Sequence, residues 1–96
     1  MDSSVARSAT GFDVLYDDEA DVLYVSLGAP RAADTFPGEH GLLVRKDMNT
    51  GEVVGVTVLD YERHFRKLKD LSWLAESDLP SDLVIYLQVR PSERPA

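Results

Sequence analysis

The chain has 96 residues, 44% hydrophobic and 28% charged, and 17 acidic side chains against 10 basic ones leave a net charge of −7. That length and mixture suit one soluble domain with a single modest core, and the acidic balance disfavours binding to a phosphate backbone. The sequence has no cysteine, which excludes disulfides, a thiolate nucleophile and cysteine-ligated zinc.

Residues 1–11 are small and polar with no periodicity and are expected to form a flexible tail. They show no basic segment leading into an apolar one. No later apolar run approaches the ~18 residues of a membrane span, so a cytoplasmic protein is expected. Residues 12–90 are expected to form a single domain and 91–96 a second tail. The first strand covers about 12–16, with Phe12, Val14 and Tyr16 on one face. An acidic turn over 17–21 leads into a strand at 22–27, where Leu23, Val25 and Leu27 share the face better suited to the core. Tyr24 falls on the other face, where its hydroxyl can stay in water. Gly28 and Pro30 end this strand.

A second hairpin follows at about 42–59. Val54, Val56 and Val58 alternate with Val53, Gly55 and Thr57, and β-branched side chains favour a pleated surface. Gly51 stands where a type I turn needs a left-handed residue, and Gly55 inside the strand marks a close approach. Asp60 is placed as the N-cap of a helix over about 61–71, with Tyr61, Phe65 and Leu68 at i, i+4 and i+7 as its buried stripe. Trp73 and Leu74 anchor a last helical turn, and Pro80 stops it. Residues 83–89 are short and apolar on both faces, which predicts a C-terminal strand.

The expected fold is therefore α+β: an antiparallel sheet of two hairpins, about 12–27 and 42–59, one helix at about 61–71 packed on a face, and a strand at about 83–89. The expected core is Leu15, Leu23, Val25, Leu27, Val44, Val54, Val56, Val58, Tyr61, Phe65, Leu68 and Ile85.

Three segments carry a family resemblance. They are Tyr16-Asp17-Asp18-Glu19-Ala20-Asp21-Val22-Leu23-Tyr24-Val25-Ser26-Leu27, then Gly41-Leu42-Leu43-Val44, then Gly51-Glu52-Val53-Val54-Gly55-Val56-Thr57-Val58-Leu59-Asp60. Together they resemble the domain of unknown function 2283 family of small bacterial proteins, over roughly residues 12–71. The resemblance implies a further short strand near 32–36, and Pro30 and Pro37 on either side suit a sheet edge. It also implies that residues 83–89 extend the family's usual length. It hints at a companion of other small bacterial proteins, some of them toxin-like, and so at an antitoxin-like part. It implies no ligand set.

The sharpest cluster of candidate site residues is Asp17, Asp18, Glu19 and Asp21. Hard cations take carboxylate oxygens, so these four are the candidate metal ligands. The plainer reading is a solvated turn in which Asp side chains cap the backbone. His40 and His64 are the only histidines. A histidine base needs an orienting carboxylate, here Asp34, Asp60 or Glu62, but no spacing joins them, and each reads as a surface residue. Arg63, Arg66, Lys67 and Lys69 hold four of the ten basic side chains and form a stripe that suits an acidic protein partner better than nucleic acid. The plainer reading is a solvated face that complements the helix C-terminus. Exposed sheet edges offer pairing with a second copy or with a foreign strand.

The expected function is a non-enzymatic protein–protein interaction module that self-associates, as a dimer, without a cofactor. The alternative is a divalent-metal-binding protein or metal-assisted hydrolase centred on Asp17–Asp21.

Overall fold

The computed structural model describes residues 5–7, 12–28 and 31–89. Among these residues six strands are formed: β1 (Val5–Arg7), β2 (Phe12–Asp17), β3 (Val22–Leu27), β4 (Ala33–Pro37), β5 (Leu42–Asp47) and β6 (Val53–Leu59). They make one antiparallel sheet in the order β1-β2-β3-β6-β5-β4. Two 3₁₀ helices, Phe65–Lys67 and Ser72–Glu76, precede the one α-helix of the described residues, α1 (Ser81–Gln88). The α+β class holds.

The sheet is larger than two hairpins. β2 with β3 and β5 with β6 are antiparallel neighbours, as the alternation predicts, but β3 pairs with β6 and fuses them. β4 closes one edge beside β5, at the place the prolines favour. β1 closes the other edge and lies within the stretch expected as a tail; residues 1–4, 8–11 and 91–96 of the expected tails lie outside the described residues.

One face of the sheet builds the core. Phe12 and Val14 on β2, Leu23 and Val25 on β3, Val56 and Val58 on β6, and Leu42 and Val44 on β5 are buried there and stand in cross-strand register. The chain after β6 covers this face, contributing Tyr61, Phe65, Leu71, Leu74, Leu83, Val84 and Leu87 to the same cluster. The expected Leu15 belongs to the opposite face, one residue out of phase with Phe12 and Val14. Leu27 and Leu68 are half-buried against the core. Val54 is buried as the extra residue of a bulge between Arg45 and Lys46.

Both sequence-level glycine expectations have a structural cause. Gly51 has φ +78° and ends the β5–β6 turn. A Cβ on Gly55 would stand 2.5 Å from the Val25 carbonyl oxygen, so β6 can approach β3 there only without a side chain.

Two elements differ from expectation. The C-terminal strand over 83–89 is instead α1. Leu83, Val84 and Leu87 point inward while Ile85, expected in the core, is 61% exposed. Burial at i, i+1 and i+4 is a helical stripe, hidden in the sequence because nearly every position of this run is apolar. Pro80 stands at the N-cap and its carbonyl accepts the Val84 N–H, so it opens this helix as well as ending what precedes it.

The helix expected over 61–71 is broken into turns around the 3₁₀ helix Phe65–Lys67. Tyr61 and Phe65 are buried as the stripe predicts, and Leu68 packs beside them. The backbone, however, is held by tertiary bonds. Asp60 does not cap; it is left-handed at φ +53° and its carboxylate pairs with Arg63. Leu68 is extended, and Asp70 accepts the Ser72 N–H at 2.9 Å to restart the chain as a second 3₁₀ helix. An isolated helix of this length is marginal in water, so such contacts decide.

Candidate functional site

The acidic turn is a structural joint. The Asp17 carboxylate accepts the N–H groups of Glu19 and Ala20, at 3.1 and 3.3 Å, and shapes its own turn. Asp21 is left-handed, at φ +59°, and only 6% exposed. Its Oδ1 accepts the Tyr16 hydroxyl at 2.6 Å and the Glu62 N–H at 2.8 Å, and its Oδ2 accepts the Arg63 N–H at 3.0 Å. Its carbonyl accepts the Tyr61 N–H at 3.0 Å. Asp21 thus caps the turn after β6 from across the sheet, the role the sequence assigns to Asp60. Burial works to raise its pKa, but the bonds from Tyr16, Glu62 and Arg63 and the Arg63 charge outweigh it and hold the carboxyl below the ordinary carboxylate range.

Asp18 and Glu19 remain exposed at the tip. Among the described residues no group of three or more histidines or carboxylates is placed to hold a metal ion.

The basic stripe is divided. Arg63 pairs with Asp60 and lies 3.7 Å from Asp21, and Arg66 pairs with Glu62 at 3.5 Å. Lys67 and Lys69 are exposed, with no ion pair among the described residues.

Two features were not assembled by the sequence. The first is the face of the sheet opposite the core. Leu15, Tyr24, Thr57, Leu43 and Pro37 lie in one cross-strand row over β2, β3, β6, β5 and β4. Val22 and Leu59 pair beside it. Tyr24 and Leu59 are 38% and 39% exposed and Leu15, Thr57 and Leu43 are half-buried, while Val22 is buried at 8% exposure. Asp13, Ser26, Gly55, Arg45 and Thr35 form the next row, a polar one. The signal was present in the alternation of Tyr24 with Val25, but the row exists only once the strand order is known.

The second is the histidine pair. His40 Nδ1 and His64 Nε2 are 3.0 Å apart, with the rings stacked at a centroid separation of 5.2 Å. Trp73 packs on His40 at 4.9 Å, with Phe65 behind it. His40 and Gly41, at φ +56° and +78°, are the two central residues of a β-turn over 39–42 in the four-residue link between β4 and β5, where Leu42 N–H donates to the Glu39 carbonyl. A left-handed histidine costs about 1 kcal/mol or more relative to glycine.

Gly41 locks this turn to the end of β6: its carbonyl accepts the Leu59 N–H, and a Cβ on it would meet the Leu59 carbonyl oxygen at 2.9 Å. Five residues on, the turn held by Asp21 delivers His64. The usable sequence signal was His40-Gly41 as a primed hairpin turn, which places β4 beside β5; the separate pairing of β5 with β6 then brings His40 to the segment that follows β6.

Comparison of the chain with protein-family models, curated proteins and solved structures gave no match.

Proposed function

We propose that the protein is a non-enzymatic interaction module that self-associates through the open face of its sheet. The apolar row Leu15, Tyr24, Thr57, Leu43 and Pro37 carries this reading. A sheet normally buries at least one face, and here the second also presents aliphatic and aromatic side chains to solvent. A second copy is the occupant we favour. Two such faces stacked about 10 Å apart bring row against row, and the polar row of Asp13, Ser26, Arg45 and Thr35 can form the rim. The face is small, which points to an interface near the lower end of stable contacts, about 1,200 Å² in total. A role beside a second protein, as the resemblance to domain of unknown function 2283 implies, would use the same surface or the exposed Lys67 and Lys69.

Sedimentation equilibrium tests the reading. Self-association is expected at high protein concentration and is expected to strengthen with salt, because each chain carries a charge of −7 that salt screens. The double substitution Tyr24→Lys with Leu43→Lys should give a monomer with its far-ultraviolet circular dichroism unchanged. A wild-type chain that stays monomeric, or a double variant that still associates, would remove the open face from the account.

A further inference from the structure

We infer that His40 and His64 form a solvent-exposed site for a divalent transition-metal ion, with copper(II) the favoured ion. The inference is independent of self-association. It rests on how the pair is built.

The fold brings the only two histidines of the chain together from 24 residues apart, onto two segments that main-chain bonds lock to each other and to Asp21. Both rings are exposed, so an ion and its remaining water ligands can reach them. One side of the pair is walled by Trp73, packed on His40 and backed by Phe65, which limits the motion of the His40 ring.

The spacing is that of two ligands on one metal. Imidazole nitrogens about 2.0–2.1 Å from an ion lie roughly 2.9 Å apart at a right angle and roughly 3.3 Å apart at the tetrahedral angle. The observed 3.0 Å lies between them, nearer the right angle of a tetragonal site. When both rings are neutral, this spacing suits an N–H···N bond in which one ring donates to the lone pair of the other, the tautomer deciding which. Metal binding replaces the proton of that bond. The donor ring shifts its N–H to its outward nitrogen, so both neutral rings present lone pairs and solvent completes the coordination. Imidazole suits copper, nickel and zinc, and affinity for a given nitrogen site peaks at copper(II).

The arginines that flank His64 in the sequence are largely neutralised. Arg63 is held by Asp60 and Asp21, and Arg66 by Glu62. Lys67 stays exposed and sets an electrostatic limit on affinity.

Trp73 is the only tryptophan, 4.9 Å from His40, so it reports the site directly. Untagged protein titrated with copper(II) should show saturable quenching of tryptophan fluorescence. Nickel(II) should bind more weakly. Acidification should release the ion, because protonated imidazoles cannot coordinate. His40→Ala and His64→Ala should each weaken half-saturation by at least the roughly 10–100-fold that loss of a supporting residue costs at a metal site. Electron paramagnetic resonance of wild-type protein with one equivalent of copper(II) should show hyperfine splitting from two nitrogens, a readout that does not depend on how the variants fold. Quenching that never saturates, saturable quenching retained in both variants, or a spectrum with fewer than two nitrogens would overturn the inference.

Discussion

The acidic turn and the histidine corner exchange roles between sequence and structure. Four carboxylates within five residues form the most conspicuous cluster in the sequence, yet Asp17 and Asp21 are taken up by backbone N–H groups and Asp18 and Glu19 stay at the tip. The two histidines are isolated in the sequence, yet their nitrogens meet at 3.0 Å. Adjacent side chains on a turn diverge, whereas residues on two turns far apart in the chain converge when strand pairing brings those turns together. The two regions are also connected. Asp21 holds the turn that carries His64, so the residue most suggestive of a ligand acts as a support for a different pair.

Asp21→Asn should have the largest effect on this relationship. It removes a charged acceptor of three hydrogen bonds at a buried position, which costs about 2–4 kcal/mol. Denaturant unfolding would measure it, and a loss below about 0.5 kcal/mol would show that the cap is dispensable. The substitution should also change acid stability. The folded Asp21 carboxyl is held below its unfolded value, so it binds its proton less readily in the fold. Its contribution is complete above the unfolded pKa of about 3.9 and is lost as pH falls through the lower folded value. Asp21→Asn should therefore flatten the decline of stability below about pH 4 and leave the slope at neutral pH unchanged. Asp47 and Asp70, held low by N–H bonds from Thr50 and from Ser72, keep part of the acid decline in place.

Gly41→Ala comes next, at about 1–3 kcal/mol, because it combines a left-handed backbone with a contact of 2.9 Å to main chain. It should move His40 away from His64, detectable as a changed emission of Trp73. Stability lost without any change in that emission would separate the turn from the pair. The smallest effect is expected for Asp18→Asn with Glu19→Gln, both exposed and outside the joint. A change within about 0.5 kcal/mol keeps the contrast, while a larger loss would mean that the turn tip contributes to the fold.

Much of the sheet was legible. Alternation in β2, β3, β5 and β6 and the two special glycines follow from residue type and period, while β4 was expected from the family resemblance and only its edge position from the flanking prolines. α1 was not legible, because Leu83 to Val89 is too uniformly apolar to show whether its period is 2 or 3.6. The broken segment after β6 was misread for the opposite reason. Its 3.6-residue stripe is real at Tyr61 and Phe65, but Asp21 and Asp70 supply caps that fold the same stripe into separate turns.

The sequence by itself determined which stretches alternate, where glycine must stand, and that a small acidic α+β domain results, because these depend on local sterics and on the period of apolar side chains. Tertiary structure alone decided which sheet face the described residues after β6 cover, that Asp21 rather than Asp60 is the cap, and that His40 meets His64. Each of those depends on strand order and register, which set distances between residues far apart in the chain and leave no local trace in it.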